Sequence, residues 1–200
     1  MEFKKATELG FDPRTQMGEI FADGFYDLGL KFISKDKSKL AKALNHIFDL
    51  QHFHFAVQDK EIMAFTACTT GKPPLLSLDK KTMVKELGFI RGRIGHFMLS
   101  RVLLNHTYPL EIPPQAGTIE FVATAAAHRG KGVSFDLLKY IHETMPYSEY
   151  ILEVADTNAS AIRLYEKLGY VEFTRKPAPK KSGFNDFVYM KLIRSSVEER

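Results

Sequence analysis

The stretch from Thr118 to Ser134, TIEFVATAAAHRGKGVS, decides how the whole chain is read. Ile119 and Phe121 alternate with their neighbours as in a strand, and Arg129-Gly130-Lys131-Gly132 follows as a tight turn that opens a helix. Such a turn leaves several backbone N–H groups without intrahelical partners, all pointing one way, and Arg129 and Lys131 flank them. The two glycines let the main chain come close to a bound group that a Cβ would push away, so the turn reads as an anion site with room for a pyrophosphate. A strand-to-helix corner also holds glycine for steric reasons, and on this piece alone both readings stand. Two standard nucleotide loops are excluded: the spacing lacks the Gly-x4-Gly-Lys-Ser/Thr of a P-loop, and Gly130-x-Gly132 lacks the third glycine at position 135 that a dinucleotide fingerprint requires.

Around this stretch lie 200 residues, 44% hydrophobic and 26% charged, enough for one sizeable core and so for a single domain over residues 1–200. No apolar run approaches the ~20 residues of a membrane span, and residues 1–5 lead into mixed polar sequence, so a cytoplasmic protein without membrane association is expected. Cys68 is the only cysteine, which excludes an intrachain disulfide and a cysteine-built metal site, and its apolar surroundings suit a buried structural thiol. His52 and His54 share one face of an extended strand without an Asp or Cys partner nearby, so no metal is expected.

The net charge of +4 is unevenly placed. Residues 79–110 hold six basic side chains (Lys80, Lys81, Lys85, Arg91, Arg93, Arg101) against Asp79 and Glu86, and residues 174–200 hold seven against three. Such clusters read either as solvated faces or as attraction for a phosphorylated or acidic ligand.

In chain order, residues 13–28 and a segment starting at Asp36 or Ser38 carry apolar residues at helical spacing, with Asp12 and Pro13 opening the first. Residues 53–58 and 61–70 form a hairpin across Asp59-Lys60, closed by the turn 71–74. Residues 79–104 read as two helices, Asp79 capping the first and Gly88 ending it, with Ile90, Ile94, Phe97 and Met98 lining one side of the second and Gly92 and Gly95 weakening it. After the Pro-rich loop 108–117 and the central strand, Val133, Leu137, Leu138, Ile141 and Met145 form the buried stripe of the next helix. A strand over 150–154, a helix from Asn158 to Gly169, strands over 170–174 and 186–193, a polar loop between them and a frayed tail over 194–200 complete the chain. The order implies an α/β (α+β) mixed sheet with helices on it.

On the helix after residues 150–154, Asn158, Ile162 and Tyr165 share one face. Two consecutive strand-turn-helix units bring both helix N-termini to one end of the sheet, so a ligand held by the first turn would extend past the second helix. Asn158 reads either as an amide-binding group or as an N-cap, and Tyr165 either as a proton donor or as a core aromatic.

With both units in view, residues 129–134 resemble the Arg/Gln-x-x-Gly-x-Gly/Ala acetyl-CoA loop of the GCN5-related N-acetyltransferases, the GNAT family. Residues 158–170, NASAIRLYEKLGY, are similar to that family's Asn-x-x-Ala-x-x-Leu-Tyr-x-Lys-x-Gly-Phe/Tyr helix. The detailed match covers about residues 119–173. Ser134 stands where the loop usually has Gly or Ala, and its hydroxyl is expected to add a phosphate hydrogen bond; residues 79–110 are a helical insertion before the fourth strand, longer than the usual connection.

The resemblance implies the GNAT fold, with a mostly antiparallel sheet, helices on both faces and splayed fourth and fifth strands that admit the pantetheine arm. It implies acetyl-CoA as donor, held by Val122, Ala123, Thr124, Arg129, Gly130, Lys131, Gly132, Val133, Ser134 and Asn158. Direct transfer to a primary amine of a metabolite, protein or peptide follows, with Val122 to Thr124 amides polarising the thioester carbonyl, Tyr165 protonating the thiolate and Glu120 acting as base or as substrate clamp. Arg91, Arg93 and Arg101 are expected to draw an acceptor bearing negative charge. Two other classes are weighed: a GNAT-fold sensor that only binds acyl-CoA, and a nucleic-acid binder, for which no RNP-like, C2H2 or helix-turn-helix pattern is present. The acceptor and the oligomeric state, a homodimer included, stay open.

Overall fold

A computed structural model of the chain describes residues 1–70, 75–101, 111–179 and 183–194. The turn expected at 71–74, the end of the insertion at 102–110, and the tail beyond 194 lie outside the described residues. Arg194 itself is anchored, not frayed: its N–H donates to Ser148 O at 2.9 Å and its guanidinium to Met145 O at 3.3 Å.

Seven strands, β1 (Glu2–Lys5), β2 (Phe53–Gln58), β3 (Glu61–Thr69), β4 (Ala116–Thr124), β5 (Glu149–Ala155), β6 (Val171–Pro177) and β7 (Asp186–Ile193), form one sheet in the order β1-β2-β3-β4-β5-β7-β6. Every neighbouring pair is antiparallel except β4 and β5. This is the mixed, mostly antiparallel sheet expected. The helices are α1 (Arg14–Gly24), α2 (Lys37–Leu44), α3 (Lys80–Leu87), α4 (Phe89–Leu99), α5 (Val133–Thr144) and α6 (Ala159–Lys167).

Their starts follow from short polar side chains. Asp36 accepts from Lys39 N–H at 3.1 Å, Asp79 from Thr82 N–H at 2.8 Å, and Asn158 from Ala161 N–H at 3.2 Å, each satisfying an N–H that the first helical turn leaves open. The β2–β3 hairpin turns on Asp59 and Lys60, both at positive φ, the conformation that matches the twist of the paired strands.

Alternation along the strands sends side chains to two cores. Phe53, Phe55, Phe65 and Ala67 meet Phe21 of α1 and Leu40 and Leu44 of α2 on one face, all buried. Ala64, Cys68, Tyr150 and Leu152 meet Leu137, Leu138 and Ile141 of α5 on the other. Each such Phe or Leu contributes roughly 1.5–3 kcal/mol of burial, so the two faces commit the sheet to helices on both sides. Cys68 lies in the second core, where burial pushes its thiol up to about 12, the inert structural thiol expected.

Four readings change. β1 pairs with β2 although the sequence pattern marks no strand at residues 2–5, and α1 stops at Gly24, short of the expected Leu28. His52 belongs to a 3-10 turn and not to the strand that carries His54. The fourth concerns α4, where the expected apolar side faces outward: Ile90 is 70% and Phe97 60% exposed, while Gly92, Gly95 and Leu99 face in. A Cβ on Gly92 would lie 2.4 Å from Val84 Cα, so the glycines allow close packing of α4 on α3 and are part of the insertion's design, not a weakness in it.

Two buried histidines give the fold a pH signature. Burial holds His54 and His142 down to about 4, and His142 is further fixed by a 2.8 Å hydrogen bond to the Tyr170 hydroxyl. Their folded values lie below the unfolded ~6.5, so their contribution is intact above pH 6.5 and is lost as pH falls toward 4, because the unfolded chain takes up the protons first. We expect His54→Leu to lose less stability than the parent between pH 7 and pH 4.5, by on the order of 2 kcal/mol in urea titrations. Equal losses in parent and variant would show that His54 is not a determinant of acid sensitivity.

Candidate active site

The site begins with a fault in the β3–β4 ladder. Ala67 opposes Glu120 and Phe65 opposes Ala123, so Thr66 alone faces Phe121 and Val122: a β-bulge in β4. Thr66 Oγ1 donates to Glu120 O at 2.9 Å, and Phe121 takes φ +55, unusual for a bulky residue. Its ring lies among those of Phe21, Phe25 and Phe53, at centroid distances of 6.1, 6.5 and 6.5 Å, which holds the chain in that conformation.

The parallel pairing of β4 with β5 runs only from Ala116 with Glu149 to Ile119 with Leu152 and ends where the bulge begins. Beyond it the strands part while β5 remains paired with β7 to Ala155, so a notch opens between them. Ala125 N–H bonds to Met63 O on β3 at 2.9 Å, and Arg129 Nε donates to Thr124 O at 3.2 Å from the other side. Strand alternation therefore turns the N–H groups of Val122 and Thr124 toward the notch and that of Ala123 toward β3, which removes Ala123 from the expected carbonyl-polarising set.

A cavity of about 1340 Å³ runs through the notch. On the α5 and α6 side its wall includes Gly130, Gly132, Ser134, Asn158, Tyr165 and Lys167. Gly130 and Gly132 take φ +74 and +81, and a Cβ on either would meet nothing within 4 Å, so the main chain borders open space. The first intrahelical bond of α5 is Asp136 N–H to Gly132 O at 3.0 Å, which leaves the amides before it directed at that space. An approachable turn with free N–H donors at a helix N-terminus fits a diphosphate.

The flanking side chains differ from expectation. Arg129 lines the cavity, but its guanidinium is joined to Asp23 of α1 at 2.6 Å, and Asp23 also holds Lys37 at 2.5 Å. Lys37 first, then Arg129, keep the Asp23 carboxyl below its usual range. Lys131 is not among the lining residues; Lys167 is, set over the Phe135 ring at 4.9 Å. The Ser134 hydroxyl, expected to face a phosphate, is joined to Thr124 Oγ1 at 2.5 Å and ties α5 to β4.

Asn158 is both an N-cap and a lining residue: its Oδ1 accepts from Ala161 N–H and the Ser160 hydroxyl, which leaves its side-chain NH2 as the group it would offer. Tyr165 is 5% exposed, lines the cavity, and burial raises its phenol well above the ordinary value, so it stays protonated.

On the opposite side the wall comes from residues that no local motif marks. Phe25 and Leu28 follow α1, Leu75, Leu76 and Leu78 precede α3, Phe184 precedes β7 and Phe187 lies in it. Segment 75–77 is fixed by Asp49 N–H to Leu75 O at 2.9 Å and Ser77 N–H to Ile47 O at 2.7 Å. Glu120 projects here, since it opposes Ala67 of the α1-side core, and Glu153 shares the face of Ile151 and accepts from the Tyr189 hydroxyl at 2.5 Å. Two-residue periodicity could have flagged Glu153 beside Ile151; nothing local could have flagged the leucines.

Arg91, Arg93 and Arg101 are not brought to the cavity. All three are exposed on the insertion, Arg93 lying over the Phe89 ring at 5.3 Å and Arg101 over Phe97 at 5.1 Å. The described insertion therefore turns its arginines outward, because α4 is oriented by its glycines.

Comparisons with known proteins bear on the family and the fold. A family model described as Acetyltransferase (GNAT) family matches residues 17–170. A search of curated proteins gives no match. Among solved structures, an N-acetyltransferase from Staphylococcus aureus Mu50 is 18% identical, with 96% of this chain and 100% of that chain covered and a TM-score of 0.64. A ribosomal-protein-alanine N-acetyltransferase from Brucella melitensis is 15% identical, with 96% and 99% covered and a TM-score of 0.55. These likenesses show the fold. Among the described residues no helix is long and apolar enough to cross a membrane.

The Thr124–Ser134 contact joins two side chains, one on the notch strand and one in the first turn of α5. A double-mutant cycle of Thr124→Ala and Ser134→Ala should return a coupling of about 1 kcal/mol in urea unfolding, since either single change leaves a hydroxyl without its partner. Additive single effects would mean that the hydroxyl pair does not hold α5 to β4.

Proposed function

The chain belongs to the acetyltransferase (GNAT) family, and we propose that it is an acetyl-CoA-dependent N-acetyltransferase acting on a primary amine at the notch between β4 and β5. The observation that carries this reading is the continuity of one cavity from the Gly130–Gly132 turn, through the opened strands, to a pocket bearing Glu120. A protein that merely held the donor would not require a second chamber with a carboxylate beyond the notch.

Bound acetyl-CoA would supply an acyl carbon activated as a thioester. The amides of residues 130–134 would hold its diphosphate with the help of the α5 dipole, and Asn158 would donate its side-chain N–H to an amide of the extended arm. Lys167 lines the same end of the cavity and would add the positive charge that Lys131 was expected to give. The Val122 and Thr124 N–H groups would polarise the carbonyl from the strand edge that β5 leaves open.

The amine nitrogen forms the C–N bond as the C–S bond breaks. Its surplus proton passes to Glu120, directly or through water, and the departing sulfur receives a hydrogen bond from the Tyr165 hydroxyl and its proton from solvent or from the protonated Glu120. A lysine-like amine is almost wholly protonated at neutral pH, with a pKa of ~10.4, so an acceptor for its proton and an apolar pocket both favour the reactive form.

Two substitutions test the assignment. Gly132→Val would force a β-branched residue into the left-handed region and fill the space beside the amides, at a conformational cost of roughly 1–2 kcal/mol. Calorimetry on the folded variant should find CoA affinity reduced about tenfold or more; unchanged affinity would move the donor site off the turn. Tyr165→Phe keeps the ring and removes the hydroxyl, so kcat should fall by about 10²-fold, or somewhat less if water substitutes, with CoA affinity intact. A thiol-release assay that found kcat unaltered while chemistry limits turnover would reduce Tyr165 to a packing residue.

A further inference from the structure

The glycine turn is held from a distant part of the chain. We propose that Asp23, in the last turn of α1, is a positioning residue for the donor: through Arg129 it fixes the Gly130–Gly132 amides in the arrangement that receives the diphosphate. This rests on the acetyl-CoA site proposed at the same turn and names the residue that pre-organises it.

Little in the turn itself keeps it in shape. A Cβ on Gly130 or Gly132 would meet nothing within 4 Å, so no neighbouring atom braces that side of it. Glycine also has the widest choice of backbone conformations, so amides carried between two glycines stay aimed only if both ends of the segment are fixed. The helix end is fixed by Asp136 N–H to Gly132 O at 3.0 Å and by the hydroxyl contact of Ser134 with Thr124 at 2.5 Å. The other end is Arg129. Its Nε donates to Thr124 O at 3.2 Å and its Nη2 to Asp23 Oδ2 at 2.6 Å, so one planar guanidinium spans from β4 to α1. Thr124 thus anchors both ends of the turn on the strand, and Asp23 supplies the further hold on Arg129 from the helix.

Asp23 is itself held. Its Oδ1 accepts from Lys37, the first residue of α2, at 2.5 Å, and the Lys37 ammonium lies over the Tyr26 ring at 4.7 Å. The Tyr26 hydroxyl donates to Lys35 O at 3.2 Å. Residues 24–36 are thereby closed at their base, with Asp23 on one side and Lys37 on the other, and Gly24, Phe25 and Leu28 of that segment line the cavity. One carboxylate therefore grips both a segment of the cavity wall and the residue that opens the glycine turn. The Lys37 hydrogen bond first, then Arg129, keep that carboxyl below its ordinary range, so it is charged at neutral pH. With the Arg129 and Asp23 side chains 47% and 29% exposed, such a pair contributes little to global stability. Its effect belongs to the ligand instead, because a binding segment ordered in advance spares the ligand the cost of ordering it.

Calorimetry with CoA, and NMR titration with pantetheine, the same arm without the nucleotide diphosphate, separate positioning from packing. Asp23→Asn keeps the shape and an acceptor oxygen for Arg129 but removes the charge; Asp23→Ala removes both. Kd for CoA should rise about fivefold in the first and about tenfold in the second, while Kd for pantetheine changes by less than about twofold. Arg129→Ala should weaken CoA at least as much as Asp23→Ala does. Adding Asp23→Ala to it should cost nothing further, because Asp23 reaches the turn only through Arg129. Lys37→Met leaves the Asp23–Arg129 contact in place and should keep Kd for CoA within about twofold of the parent.

Unchanged CoA affinity in both Asp23 variants, or additive losses in the cycle with Arg129, would overturn the assignment. Equal losses for CoA and pantetheine would do the same, since they mark general damage to α1. Tighter CoA binding by Asp23→Asn would reverse it, showing that the carboxylate withholds Arg129 from the diphosphate. In each of these cases the parent still binds CoA and the donor site stands. Absence of CoA binding to the parent protein would overturn the acetyltransferase reading itself, and this inference with it.

Discussion

The arrangement hangs on the extra residue in β4. With Thr66 facing both Phe121 and Val122, the ladder to β3 slips by one, the strand bends, and its parallel pairing with β5 cannot continue past Ile119. The left-handed backbone at Phe121 is unfavourable for a residue with a Cβ, by an amount on the order of 1–3 kcal/mol. It is held because the Phe121 ring is packed with Phe21, Phe25 and Phe53, and because Thr66 satisfies the Glu120 carbonyl that the lost ladder bond leaves open. The core on the α1 face thus stabilises a local strain whose product is the notch. A regular β4 would close against β5 to Ala155, and the cavity would have no passage through the sheet.

That relation explains what could be read from the sequence. The glycine turn, the caps at Asp36, Asp79 and Asn158, the positive-φ glycines at positions 88 and 169 and the buried stripe of α5 are local signals, and each element formed where its residues predicted. The motif resemblance over residues 119–173 carried the splayed strands and the order of the remaining elements. The bulge was not legible, because Glu120-Phe121-Val122 has no glycine and nothing in it announces φ > 0. β1 escaped because four residues with one apolar side chain make a weak strand pattern; its partner lies some fifty positions away, and only the finished edge of β2 reveals it. The apolar chamber is likewise assembled from residues 25–28, 75–78 and 184–187, a convergence that no window of sequence contains.

The misplaced arginines have a more specific cause. Periodicity identified Ile90, Ile94 and Phe97 as a stripe, and the hydrophobic effect argues for turning such a stripe inward. Gly92 and Gly95 override it, because backbone-to-backbone approach with α3 is available only on the glycine face, where any Cβ would collide with Val84 or Ile33. Close packing of two short helices then outweighs burial of the stripe, and Phe89 and Phe97 are left outside beneath Arg93 and Arg101. The positive charge of the described part of the insertion is therefore a surface property.

Burial of Tyr165 bears on how the proposed transfer would end. A thiol of ordinary pKa, ~8.5, is a stronger acid than a phenol of ~10, and burial moves this phenol further up. Full proton transfer from Tyr165 to a departing thiolate would thus run uphill, by roughly 1.4 kcal/mol for every unit that separates the two groups. A hydrogen bond is a different matter: the same low-dielectric surroundings that resist the phenolate strengthen an O–H donor aimed at developing negative charge. The proposed chemistry consistent with this environment is stabilisation of the sulfur by a phenol that keeps its proton, while a more acidic source, solvent or the protonated Glu120, protonates the thiolate.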